Sequence, residues 1–296
     1  MKRLLSCYTS DFENMSAIDL KAAILSSEGR TILGETVVTA APLIAGVTNA
    51  EMMASFGADL LVLNEFDVFT QYINGFEEDC PIARLKALTG RPIGINLEPV
   101  DDQVDVQDEK VTLSAGRLAT AAAYEQAEKL GVDFILLTGN PSTGVSLGAI
   151  KASISVAKSH FSGLVFAGKM HGAGLGESIV NIPVLEEFVA LGADGVLIPA
   201  VGTVPGVTEE DARHAVLAVK KRGGLVMSTI GTSQESADKD TIRAFALSNK
   251  RVGSDIHHIG DGGYGRMPEP ENLMAYSIAI RGKRHTYFRM GQSVRR

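Results

Sequence analysis

Leu191-Gly192-Ala193-Asp194 running into Gly195-Val196-Leu197-Ile198-Pro199-Ala200 decides the fold, because the chain writes the same phrase twice more. Phe56-Gly57-Ala58-Asp59 leads into LLVLN, and Leu130-Gly131-Val132-Asp133 leads into FILLTGN. Each copy is a helix-like stretch, a Gly-small-Asp stop and a short apolar run. Glycine tolerates the left-handed conformation that ends a helix. The run carries no polar alternation, as expected of a parallel strand covered on both faces. The copies stand roughly two βα units apart, so the phrase marks an alternating βα architecture whose chemistry sits where the strands end.

Working outward, the pattern places strands at Thr36–Ala40, Leu60–Leu63, Pro92–Leu97, Phe134–Leu137, Leu164–Ala167, Gly195–Ile198, Leu225–Ser228 and Asp255–Ile259. Eight strands alternating with eight helices predict an α/β (β/α)8 TIM barrel, and 296 residues suit its typical length of about 250. A doubly wound open sheet is the alternative, but the near-equal units favour closure and no GxGxxG follows an early strand. The expected organisation is an N-terminal extension (1–35), the barrel (36–285) and a C-terminal tail (286–296).

The net charge of -7 argues against broad nucleic-acid binding, which leaves a basic footprint. Arg281, Lys283, Arg284, Arg289, Arg295 and Arg296 gather near the C-terminus and are expected to form a solvated tail or a subunit contact. Cys7 and Cys80 form no CxxC pair, so neither a disulfide framework nor a cysteine-rich zinc site is suggested. The opening MKRLLSC is too short for a signal peptide, and no apolar run approaches the ~20 residues of a membrane span. A cytoplasmic protein with no membrane partner is expected. The apolar stretch Thr286–Met290 suggests a homo-oligomer.

Polar residues at strand ends are the candidates for chemistry, since the packed barrel interior makes them costly elsewhere. Glu65, Asp67 and Glu98 lie there, beside Asn64, Asn96 and Asn140. As hard oxygen donors they suit Mg²⁺ or Mn²⁺; alternatively one is a general base and the others are scaffolding. No other cofactor is expected. Lys169 ends an apolar strand, where it would serve as a Schiff-base amine, a fixed cation or a structural partner. His171 follows it. His257 and His258 straddle one strand, so one faces the barrel and the other the helices, with no sequence signal to choose between them. Gly231-Thr232-Ser233 and Gly260, Gly262, Gly263 after strands seven and eight read as a phosphate site built from backbone amides.

From Asn49-Ala50-Glu51 through Gly57-Ala58-Asp59 to Leu63-Asn64-Glu65-Phe66-Asp67, the chain resembles the BtpA-like and phosphoenolpyruvate-hydrolase-like TIM barrels. It is more distantly similar to the phosphoenolpyruvate mutase group. That resemblance implies an Asp-rich metal set, for which Asp67 and Glu98 are the nearest matches. It also implies a KKCGH-type loop, whose place is taken by Lys169-Met170-His171-Gly172 without the cysteine.

Together these readings predict an enzyme acting on a small phosphorylated or carboxylated metabolite. The reaction would be a lyase, isomerase or hydrolase step through an enolate-like intermediate. The alternative is a catalytically silent barrel that binds a phosphorylated metabolite as a sensor or assembly factor. A dehalogenase-type hydrolase is disfavoured because no DxD follows the first strand. The low aromatic content argues against a flavin enzyme.

Overall fold

A computed structural model describes residues 2–101, 103–104, 109, 111–172 and 177–296. Its strands are β1 Thr31–Val37, β2 Leu60–Asn64, β3 Ile93–Leu97, β4 Phe134–Leu137, β5 Leu164–Gly168, β6 Gly195–Pro199, β7 Leu225–Ile230 and β8 Ile256–Ile259. They pair in parallel in chain order and close, β8 against β1, into a barrel. Short helices α1 Thr9–Phe12 and α2 Ala17–Leu25 precede β1. One helix follows each strand: α3 Asn49–Ser55, α4 Pro81–Thr89, α5 Ala121–Lys129, α6 Leu147–His160, α7 Ile182–Ala190, α8 Glu209–Lys221, α9 Lys239–Val252 and α10 Pro270–Met290. The (β/α)8 barrel expected from the sequence is the fold. Among the described residues no helix is long and apolar enough to cross a membrane.

The first strand starts at Thr31, ahead of the expected Thr36. All seven of its residues are buried, including Glu35. Gly34 and Glu35 interrupt the apolar run, which made this segment read as part of the preface.

The aspartate of each repeat has a specific task at the N-terminal end of the barrel. Asp59, Asp133 and Asp194 accept the amides of Ile32, Ile93 and Val165 at 2.8, 2.7 and 3.0 Å. Each returns its own amide to the carbonyl of the same residue. The aspartate thereby replaces a ladder partner where the preceding strand begins. A fourth copy, Val252-Gly253-Ser254-Asp255, does the same with Val226 at 3.0 Å. All four glycines, Gly57, Gly131, Gly192 and Gly253, have positive φ.

Each of these aspartates also meets a basic residue from a surrounding helix: Lys86 on Asp133, Lys158 on Asp194, Lys220 on Asp255, and Arg281 with Arg289 on Asp59. The last pair corrects the expected solvated tail. Arg281 and Arg289 are buried, and α10, interrupted at Gly282, carries them onto the Asp59 carboxylate. Arg289 also donates to the carbonyls of Leu4 and Cys7, tying both ends of the chain to β2. Burial alone would raise the Asp59 carboxyl, but Arg281 and Arg289 outweigh it and hold it below the usual range.

Inside the barrel, large and small side chains alternate. A Cβ on Gly94 would lie 2.2 Å from the Phe134 ring, and one on Gly195 would lie 2.7 Å from Phe166. These rings pack edge to face at 6.1 Å. Leu20, Ala23 and Ile24 of α2 and Leu4 join this inner cluster, so the N-terminal segment plugs the lower end of the barrel. The apolar filling stops at Val62, Leu136 and Met227. Above it the interior turns polar.

Candidate active site

Glu35, Asn64, Asn96 and Glu98 project from successive positions near the upper ends of β1, β2 and β3. The alternation that aims Leu33, Val62 and Gly94 inward aims these inward too. His258 of β8 points to the same interior, with Nε2 2.6 Å from Glu35 Oε2. Asn96 donates to the other oxygen, Glu35 Oε1, at 2.6 Å. His257 faces the opposite way, bonded to the Gly29 carbonyl at 2.9 Å and packed edge-on against Tyr276 of α10. The barrel histidine is therefore His258.

A second chain of hydrogen bonds crosses the mouth. Asn64 donates to Asp261 at 2.8 Å and to Asn140 at 2.9 Å. Asn140 donates to Glu98 at 2.7 Å through its side chain and at 2.8 Å through its amide. Arg117 completes the row with a 2.9 Å ion pair to Glu98. Burial raises the Asp261 carboxyl well above its usual range, and the nearby Glu35 adds to the shift against the opposing bond from Asn64. Asp261 is thus held toward the neutral acid.

Gly168 ends β5 at φ +151, in close contact with the Leu197 carbonyl, so no side chain fits there. The turn it permits buries Lys169, which pairs with Glu177 at 2.5 Å. Residues 173–176, which follow in this loop, lie outside the described residues, as do 102, 105–108 and 110 in the loop after β3. Burial and the Lys169 cation push His171 below its ordinary value, with Glu35 and Glu98 pulling the other way. His171 is therefore within electrostatic reach of both carboxylates and is held toward the neutral imidazole.

The expected carboxylate trio does not converge. Glu65, at φ 61, turns outward to Thr39 at 2.6 Å and Arg266 at 3.5 Å. Asp67 accepts the amides of Phe69 and Thr70 at 2.8 and 3.0 Å, and its Oδ1 fills the space beside Gly116. It buckles two loops together. Only Glu98 belongs to the mouth, and its oxygens are engaged by Asn140 and Arg117. Among the described residues no group of three His, Cys, Asp or Glu side chains is placed to hold a metal ion. The donor set does not fit the Mg²⁺ or Mn²⁺ centre expected from Glu65, Asp67 and Glu98.

The glycine-rich loops after β7 and β8 do meet, but their hydroxyls turn inward. The Thr232 hydroxyl lies within hydrogen-bond reach of the Thr203 carbonyl, at 3.0 Å, and of Gln234, and Ser233 donates to the Gly262 carbonyl at 3.0 Å. Gly231 lies against Met170, and Gly260 against the Ile230 carbonyl and the His258 ring. Glu235, between these loops, is completely buried, and among the described residues neither carboxylate oxygen reaches a partner in hydrogen-bond geometry. Glu35 precedes the expected first strand Thr36–Ala40 and Glu235 lies in the loop after β7, so neither stands out as a strand-end candidate in the sequence. A charged residue inside an otherwise buried strand was the one available signal for Glu35.

No curated protein matches the chain. Solved structures with the same architecture include an archaeal fructose-1,6-bisphosphate aldolase, 13% identical over 88% of this chain and 99% of its own, with a TM-score of 0.54. The phosphoenolpyruvate phosphomutase of Streptomyces platensis subsp. rosaceus is 14% identical over 94% and 89%, with a TM-score of 0.53. A 2,3-dimethylmalate lyase, described as a PEP mutase/isocitrate lyase superfamily member, is 15% identical over 83% and 81%, with a TM-score of 0.50. At such identities the likeness is one of fold. A family model spans residues 5–296, and the chain belongs to that family, described as Domain of unknown function (DUF7916).

Proposed function

We propose that this barrel is an enzyme that moves a proton on a small carboxylate metabolite through an enolate-like intermediate. The observation that carries the reading is a set of buried polar atoms on the floor of the mouth. Asn96 Oδ1, Thr138 Oγ1 and His258 Nδ1 have no hydrogen-bond partner among the described residues. Such atoms are costly to leave unpaired, and a barrel needs none of them in order to fold.

The two groups with opposed shifts supply the chemistry. A neutral His171 is suited to take a proton from the carbon beside the substrate carboxylate. A neutral Asp261 is suited to deliver one to the oxygen where charge then develops. Burial disfavours the charged form of each group, which leaves a neutral base and a neutral acid available together. Among the described residues Lys169 gives one of its three donors to Glu177, and the cation is proposed to bind the substrate carboxylate. Its ion pair favours this charge role over a nucleophilic one. Glu35, with His258 and Asn96, acts beneath as a positioning layer that tunes both. The protein is proposed to work in the cytoplasm as a homo-oligomer.

A thermal-unfolding panel of small mono- and dicarboxylates, each beside its amide, tests the reading. At about 100 times Kd a ligand stabilises by roughly 2.7 kcal/mol, on the order of 2–4 °C for a chain this size. The expected result is a shift for a carboxylate that is lost in Lys169→Met. Binding that survives both Lys169→Met and His171→Gln, with no turnover of any ligand, supports the silent barrel instead.

A further inference from the structure

Glu235 occupies the place where the two glycine-rich loops come together. A Cβ on Gly263 would lie 3.0 Å from Glu235 Oε1 and 2.5 Å from Ser236 Oγ. A Cβ on Gly262 would lie 3.4 Å from the same carboxylate oxygen and 3.2 Å from the Ser233 amide. The glycines are therefore needed so that the β8 loop can close over the chain's own carboxylate. Burial raises the Glu235 carboxyl, while the amides of Glu235 itself and of Gly263 pull against that shift. These amides lie close to the carboxylate without reaching it in hydrogen-bond geometry among the described residues. Glu35 stands near enough to add like charge.

We infer that Glu235 is a specificity residue, the chain's own occupant of the β7/β8 anion cradle, which turns phosphorylated ligands away and leaves unphosphorylated carboxylates as the substrate class. This deepens the reading above and rests on it for the word substrate, but the cradle can be tested alone. A phosphate at these amides would have to displace the carboxylate or sit beside it, and like charges in a desolvated site repel strongly. Removing the side chain frees both the volume and the amides.

The probe is inorganic phosphate, titrated into the full-length protein while the backbone amides of Gly231, Gly262 and Gly263 are followed by NMR. Wild type is expected to show no saturable change at these amides. Glu235→Ala gains phosphate affinity by on the order of tenfold or more, and Glu235→Gln, which keeps the volume but not the charge, gains less. Wild-type binding as tight as that of Glu235→Ala overturns the inference. So does a folded Glu235→Ala that gains nothing or binds elsewhere. If Glu235→Ala does not fold, Glu235→Gln decides: a gain at the glycine amides supports the inference and no gain overturns it. None of these outcomes depends on turnover, so failure of the proton-transfer reading leaves the titration interpretable, and the reverse also holds.

Discussion

Glu35 Oε2 lies 2.6 Å from His258 Nε2 with both side chains sealed inside the barrel, and the same carboxylate acts electrostatically on His171 and Asp261. Glu35 is thus the group common to the proposed base and acid. Its negative charge raises both, so Glu35→Gln is expected to move His171 further below 6.5 and to bring Asp261 down. Titration of the His171 ring by NMR checks the first shift. A purely structural Glu35 would leave it unmoved. Turnover is expected to fall by roughly 10²-fold or more, since both proton transfers lose their tuning.

Asp261 makes stability fall as pH rises. Its raised carboxyl binds a proton more tightly folded than unfolded. That contribution is fully present below the unfolded value near 3.8 and is lost as pH climbs through the higher folded value. Asp261→Asn keeps a hydrogen-bond acceptor for Asn64 and removes the ionisation. The variant is expected to be more stable than wild type at pH 8, with the advantage vanishing near pH 3. Urea unfolding at the two pH values measures it. Turnover should fall in the same variant, because the proton donor is gone.

Asp59 behaves in the opposite way. Its depressed carboxyl contributes stability that is present above about 3.8 and lost as the pH falls through the folded value. Asp59→Asn leaves Arg281 and Arg289 buried without their counter-charge, a loss of about 3–5 kcal/mol. Chemical denaturation at neutral pH reads the loss directly. The variant should also unfold with a weaker dependence on acid than wild type.

Gly94 faces Phe134 across the lower barrel interior, where a methyl group at position 94 would overlap the ring. Gly94→Ala is expected to cost about 1–3 kcal/mol through overpacking. Phe134→Leu in the same chain should recover part of that cost, giving a coupling energy in a double-mutant cycle. Additive effects would mean that the two positions do not meet.

The sequence made the architecture legible because Gly-small-Asp stops and apolar runs are local signals, each read within a dozen residues. The fourth copy at Val252–Asp255 was obscured by the histidines that follow it. Of the candidate site, Glu98, Lys169 and His171 are legible because they stand at strand ends. Glu65 and Asp67 also stand beside a strand end, yet the left-handed turn at Glu65 sends them to the loops. Direction after a strand ends depends on that single dihedral, which composition does not reveal. Glu235 was hidden for a different reason: its role comes from how two loops close on each other, a contact between segments with no sequence spacing of its own. Arg281 and Arg289 looked solvated because their partner, Asp59, lies more than two hundred residues away.

The most direct test of the central claim is proton exchange into small carboxylates in D₂O, followed by NMR of the hydrogen beside the carboxylate. The expected result is enzyme-dependent exchange in at least one unphosphorylated carboxylate. That exchange should be lost in His171→Gln and weakened in Glu35→Gln, with both variants folded. A carboxylate that binds wild type at the mouth yet exchanges no proton would contradict the enzyme reading and leave a barrel that binds without catalysing.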